Sequence, residues 1–321
     1  MAAQIFAYIP HKQGTPDDAA LELATAAKQM APDAAATAVV TGTGADLDAV
    51  CSAMAKVYPA VWKIDNEALS YPNAEIIRSV LLRLLPEKAL LLVPHDTFGM
   101  DLSPGLSIKM KAAFIPDVVE TAPIENDELK AVRQEYGGAV STHVVCSVAG
   151  GAVVNVRPGA FQPRESADAG GQVTDKSDDV GDVSAKRRYL ETVAAEVGDV
   201  DITKEDVLVS IGRGIEDEDN IEIAEDLAKA MGAVVSCSRP IVDAKWLEKS
   251  RQVGTSGQTV KPKVYLACGI SGSFQHLGGL KGNPFIVAIN KNPKAPVFQV
   301  ADVGIVADIL DFLPELTEAL E

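Results

Sequence analysis

Cysteine is scarce and scattered in this chain. Cys51, Cys146, Cys237 and Cys268 form no CxxC pair and no cluster with histidine, which argues against a zinc or iron–sulfur site and fits buried thiols in a reducing compartment. Basic charge is also short, with 29 Lys and Arg against 45 Asp and Glu and a formal net charge of −16. A phosphate backbone calls for a basic face, so no nucleic-acid partner is expected. The acidity serves solubility, or offers an acidic face to a basic partner. Long hydrophobic runs are missing: the longest, around residues 89–94, is far below the length of a membrane span. The opening MAAQIFAYIP has no basic n-region, so a cytoplasmic chain with no transmembrane segment is expected. There is no GxxxxGK[ST] loop, no GxSxG elbow and no HExxH. Gly42-Thr43-Gly44 and Gly212-Arg213-Gly214 both lack the third glycine of the dinucleotide fingerprint.

What is present is a long, well-patterned chain. Its 321 residues exceed one ordinary core, and 47% hydrophobic content supports packed structure. Strand-like segments at 4–9, 36–41, 60–64 and 89–94 alternate with helical ones at 17–30, 46–56 and 73–85. The run ALLLVP at 89–94 has the continuous apolarity of a strand covered on both faces. This alternation predicts a parallel sheet covered by helices, an α/β fold. Residues 95–114 read as a connecting loop containing Pro104 and Gly105 beside a short helix. Segments 117–122, 129–134, 139–147 and 153–157 read as antiparallel or mixed strands closing a first domain, 1–196. Within it, 158–181 is rich in Gly, Asp, Ser and Gln and reads as a surface excursion or linker. A second domain, 197–321, holds strands at 207–211, 233–237, 264–268, 285–289 and 303–306, an acidic helix at 218–231 ended by Gly232, and a terminal helix at 307–320.

The chemistry concentrates in VGTSGQTVKPKVYLACGISGSFQH, residues 253–276. Glycines bracket one short apolar run, with Thr255, Ser256, Ser271, Ser273 and His276 among them. Gly permits left-handed backbone and places no Cβ between backbone N–H groups and a ligand. Such a polar, close-approach surface with few charges suits a nucleotide or flavin better than a metal. Four strand ends in this half carry Arg213, Arg239, Ser271 and Asn290. Their convergence at one edge of one sheet is where open α/β folds hold ligands.

The segments RQVGTSGQTVKPKVYLACGISGSFQHLGG and AINKNPKAPVFQVADVGIVAD, with HDTFG at 95–99, VRPGAF at 156–161, GRG at 212–214 and SRPIVD at 238–243, give the chain a resemblance. It resembles, essentially end to end, the α subunit of electron transfer flavoproteins. The resemblance implies two domains: an N-terminal parallel-sheet domain like adenine-nucleotide-binding folds, and a C-terminal Rossmann-like FAD-binding domain. It implies a heterodimer with a β subunit that completes the flavin site and carries AMP or a second FAD. It also implies an electron carrier rather than an enzyme by itself, taking electrons from flavin dehydrogenases or similar donors and passing them to a quinone oxidoreductase or another acceptor. One alternative is a subunit of a flavin-based electron-bifurcating complex; another is a structural nucleotide-binding interaction subunit without a redox role.

Carried over residue by residue, the resemblance places the Ser256 hydroxyl at flavin N5 or O4, where it can donate or accept. Arg239 would set a cation beside the isoalloxazine, favouring its reduced form. His276 would face the N1–O2 edge, where negative charge collects on reduction. Arg213, Ser238, Ser271 and Gly272 would hold the FAD tail and pyrophosphate. Asn290 and Asp308 would hold the adenosine end, with Asp308 on ribose hydroxyls. Gln252, Val253, Gly254, Thr255, Gly257, Gly269, Ile270 and Gln275 would line the pocket. The chain departs from the family where Thr255-Ser256 replaces the usual Gln-Thr and where Phe274 is bulkier than the residue often found there.

Overall fold

The computed structural model describes residues 4–136, 140–164, 170–191 and 200–320. The chain divides into two compact units, Met1–Glu191 and Thr192–Glu321.

The first unit is organised on strands β1 (Ile5–Tyr8), β4 (Ala36–Gly42), β5 (Ala60–Asp65) and β6 (Leu90–Pro94), with a small antiparallel pair, β2 (His11–Lys12) and β3 (Thr15–Pro16), after β1. Strands β7 (Ala113–Thr121), β8 (Glu128–Glu135), β9 (Val140–Ser147), β10 (Ala152–Val156) and β11 (Gln172–Asp175) complete a nine-stranded sheet. Its order is β11-β5-β4-β1-β6-β10-β7-β8-β9. Every residue of β1, β6 and β10 is buried, as central parallel strands require. Alternate side chains feed two cores. Ile5, Ala7, Leu90 and Leu92 pack against α1 (Ala19–Met30) and α2 (Gly44–Met54). Phe6, Tyr8, Leu91 and Val93 pack against α3 (Ala74–Leu84) and α4 (Thr97–Met110).

Three readings of the first half are corrected. Residues 95–114 are not a connecting loop: most of them form α4, fourteen residues long, with Pro104 inside it. Proline and glycine read locally as breakers, but the helix is held from outside. Gly105 lies against the Arg78 guanidinium, which donates to the Asp101 and Leu102 carbonyls, while Leu102 and Leu106 are fully buried in the core. The HDTFG motif starts it. Asp96 is the N-cap, its carboxylate accepting from the Gly99 N–H at 2.6 Å. The second correction concerns 153–157. The strands are mixed, but they do not simply close the domain: β10 runs parallel between β6 and β7 in the middle of the sheet, while β8 and β9 form the antiparallel edge. Third, 158–181 is more than a linker: its β11 pairs in parallel with β5 and forms the opposite edge.

The second unit is a five-stranded sheet, parallel throughout. Its strands are β12 (Val207–Ile211), β13 (Val234–Cys237), β14 (Val264–Cys268), β15 (Phe285–Ile289) and β16 (Val303–Ile305). The order β13-β12-β14-β15-β16 is the doubly wound 2-1-3-4-5 arrangement, whose switch point falls between the first and third strands. Helices α5 (Ile221–Ala230) and α8 (Ile309–Leu320) cover one face through Leu227, Ala224 and Leu313. Gly232 ends α5 with a left-handed φ of +62°, as the sequence indicates. The other face carries Leu208, Tyr265, Ala267 and Ile286, closed over by Val253, Val260 and Val297. Two short helices, α6 (Arg239–Asp243) and α7 (Phe274–Leu277), follow β13 and β14. Among the described residues, no helix is long and apolar enough to cross a membrane.

Replacing Asp96 by Ala is expected to destabilise the first unit by about 1 kcal/mol through loss of the α4 cap, with Asp96→Asn close to wild type. Urea unfolding monitored by far-UV circular dichroism measures it.

Candidate functional site

The carboxyl ends of β12, β13, β14 and β15 open into one cavity of about 620 Å³, within the roughly 300–1,000 Å³ usual for small-molecule sites. Arg213 and Gly214 enter from the turn after β12, on one side of the switch point; Gly269, Ile270 and Ser271 enter from β14 on the other. Ser238 and Arg239 come from the start of α6, Asn290 from the end of β15, and Asp308 from the residue before α8. Gln252 to Ser256 form a further wall with Gln275 and His276 of α7. Every residue expected at the site lines this cavity except Gly257 and Gly272.

Those two glycines serve the chain itself. A Cβ on Gly272, whose φ is +81°, would lie 2.4 Å from the Val297 backbone nitrogen, and one on Gly257 would lie 2.3 Å from the Gln252 carbonyl. What glycine permits there is backbone lying directly on backbone, which holds the loops in place.

The polar groups are partly spent on one another. Gln252, buried, donates from Nε2 to the Ser256 hydroxyl at 2.9 Å, leaving the serine its own proton to donate. Asn290 ties two loops together, donating from Nδ2 to the Ile270 carbonyl at 2.9 Å while its Oδ1 accepts from the Asn292 N–H at 2.9 Å. Asp308 caps α8 by accepting from the Leu310 N–H at 3.1 Å with one carboxylate oxygen. Ser238 is buried and makes no side-chain cap bond to α6. Arg239 forms an i,i+4 pair with Asp243 at 3.3 Å, both exposed. Lys291 pairs with Glu216 across the mouth, whereas Arg213 has no carboxylate partner among the described residues.

His276 differs from the rest. It is buried, its Nε2 lies 2.7 Å from the Tyr265 hydroxyl, and its Nδ1 is enclosed without a hydrogen-bond partner among the described residues. Burial pulls its pKa down from 6.5 to about 4, with a backbone contact from Val253 acting weakly the other way. The imidazole is therefore neutral near pH 7. Cys237 and Cys268 lie buried in the strands behind the site, and burial pushes both thiols up to about 12, so they stay protonated and inert.

Sequence reasoning missed Gly214, Glu216, Pro240, Asp243, Lys291 and Asn292 among the lining residues. Asp243 was within reach, since it stands four residues after Arg239 on a short helical segment, the spacing at which opposite charges meet. Glu216 and Lys291 are 75 residues apart, and nothing local connects them.

Residues 201–281 match the profile of the electron transfer flavoprotein FAD-binding domain, and residues 5–180 that of the electron transfer flavoprotein domain. The chain is 32% identical to the electron transfer flavoprotein subunit alpha of Clostridium acetobutylicum, covering 97% of this chain and 95% of that one. It is 41% identical to the corresponding subunit of Methylophilus methylotrophus, over 72% of each chain. It is 33% identical to Protein FixB of Clostridium saccharobutylicum, over 78% of this chain and 76% of that one.

Because the fold holds His276 neutral, acid must weaken the second unit. A pKa lowered from 6.5 to about 4 gives stability that is fully present above pH 6.5 and is lost as pH falls toward 4. The loss for the flavin-free chain is expected to approach about 3 kcal/mol. In urea titrations at stepped pH, His276→Gln should flatten this part of the profile.

Proposed function

The chain belongs to the family of electron transfer flavoprotein α subunits, and from that premise we propose that the cavity at the carboxyl edge of the second sheet holds FAD for electron transfer in a heterodimer with a β subunit. The observation that carries this reading is the convergence, in one cavity at the switch point of a doubly wound parallel sheet, of residues from six separate segments. The lining suits such a cofactor. His276 offers an enclosed Nδ1 without a geometrically formed hydrogen bond among the described residues, and Ser238 a buried hydroxyl not used as a cap. Arg213 is a cation with no carboxylate partner among the described residues, as a pyrophosphate would require.

FAD, when bound, supplies the one- and two-electron chemistry; the chain's residues bind it, orient it and set its surroundings. Arg213, Ser238 and Ser271 hold the diphosphate and the tail. Asn290 and Asp308 take the adenosine end, Asp308 with the carboxylate oxygen that α8 does not use. Ser256, its oxygen already accepting from Gln252, presents its proton to a flavin acceptor. Arg239 brings positive charge beside the ring, tempered by Asp243. The pocket wall formed by Gln252, Val253, Gly254, Thr255, Gly269, Ile270 and Gln275 keeps the ring in register, while Gly257 and Gly272 fix the loops behind it. Flavin dehydrogenases or similar donors reduce the complex, and a quinone oxidoreductase or another acceptor oxidises it, in the cytoplasm.

The test begins with the complex co-purified with its β subunit. One FAD and one AMP per heterodimer support a simple carrier. Two FAD and no AMP support an electron-bifurcating assembly, and a colourless complex carrying only an adenine nucleotide would leave a structural nucleotide-binding role.

Arg239→Ala should lower the flavin potential by on the order of 40 mV, about 1 kcal/mol of lost attraction for one electron. Spectroelectrochemical titration reads it, and an unchanged potential would remove Arg239 from the flavin's surroundings.

A further inference from the structure

Behind His276 lies a buried polar group that the proposed function does not use. Tyr265, in the middle of β14, is 1% exposed and its hydroxyl sits 2.7 Å from Nε2 of His276. Ser210 of β12 and Ser236 of β13 are each fully buried and stand opposite one another in the strand register. Both hydroxyls lack a hydrogen-bond partner among the described residues, and both lie near enough to the Tyr265 phenol to work against the rise that burial gives its pKa. All three polar side chains therefore belong to the otherwise apolar sheet face that carries Leu208, Ala267 and Ile286. A tyrosine placed there for volume alone would leave its hydroxyl unpaired, which is costly in such surroundings.

Only one proton can lie between Tyr265 and His276. Burial raises the phenol and lowers the imidazole, so both groups are neutral. Between neutral partners, the phenol is the better donor and the imidazole nitrogen much the better acceptor. An imidazole accepting at Nε2 carries its proton on Nδ1.

We propose that Tyr265 is a positioning residue, which donates to Nε2 of His276 and so holds the imidazole as the tautomer with its proton on Nδ1. The single proton of the neutral imidazole is thereby fixed on one nitrogen before any ligand arrives. The consequence for the cofactor rests on the flavin reading of the cavity. A donor held ready toward the ring edge that gains negative charge favours the reduced form, whereas an imidazole free to change tautomer would present a lone pair there for part of the time.

The experiment is ¹⁵N spectroscopy of the αβ complex labelled at histidine, with the His276 signals assigned by their loss in His276→Gln. A pyridine-type Nε2 and a pyrrole-type Nδ1 are expected. In Tyr265→Phe the two signals should move toward each other as the tautomers mix. The FAD potential should fall by the equivalent of roughly a three- to tenfold change in equilibrium constant, the worth of one hydrogen bond. A protonated Nε2 in the wild-type complex overturns the proposal and requires no variant to fold. An unchanged tautomer in folded Tyr265→Phe overturns the positioning role. A mixed tautomer with an unchanged potential overturns the consequence for FAD. A complex without flavin overturns the functional reading instead, and the tautomer measurement still decides the role of Tyr265.

Discussion

Backbone pressed directly on backbone shapes the carboxyl edge of the second sheet. The turn after β12 and the turn after β14 meet at Gly214 and Gly269, where a Cβ on either would fall within 2.7 Å of the other's Cα. A further contact seats Gly272 against Val297. Side chains of any size would push these loops apart and with them Arg213, Ile270 and Ser271. The hydrogen bonds of Asn290 to Ile270 and of Gly212 to Cys268 complete the lock. Precision in a binding site comes from such rigid support. Here it comes from missing side chains as much as from those present.

Electrostatics within the cavity is balanced rather than one-signed. Arg239 and Lys291 each face a carboxylate, and such exposed pairs add little stability. They do, however, limit how much positive charge a ligand meets, which leaves Arg213 as the cation best placed for an anionic group. His276 contributes direction without charge, because burial keeps it neutral. On the proposed reading, selectivity in this site depends on oriented donors held by Gln252, Tyr265 and the loop backbone.

The first unit obeys a different constraint. Its central strands are buried on both faces, so every backbone group must find its partner in the ladder. That demand is met by bringing β10 back between β6 and β7 after an antiparallel excursion, and by adding β11 at the far edge. The HDTFG motif, in a segment that reads as a connecting loop, is used to start α4 from the end of β6.

The sequence by itself determined the class of fold, the division into two units, most of the parallel strands of both sheets, and the segments that line most of the cavity. These rest on local signals: apolar runs such as 89–94 and 264–268, helical spacing in 73–85, and polar residues placed right after strands at Arg213, Arg239, Ser271 and Asn290. Tertiary structure alone decided the rest. Pro104 and Gly105 read as breakers, yet α4 forms because burial of Leu102 and Leu106 outweighs local preference. The place of β10 could not be read, since strand order depends on pairings far apart in the chain. The meeting of Lys291 with Glu216, and of Tyr265 with His276, likewise needs the register of separate strands. Tyr265 reads as one more apolar position in a buried strand, and only the packed sheet shows that its hydroxyl has a task.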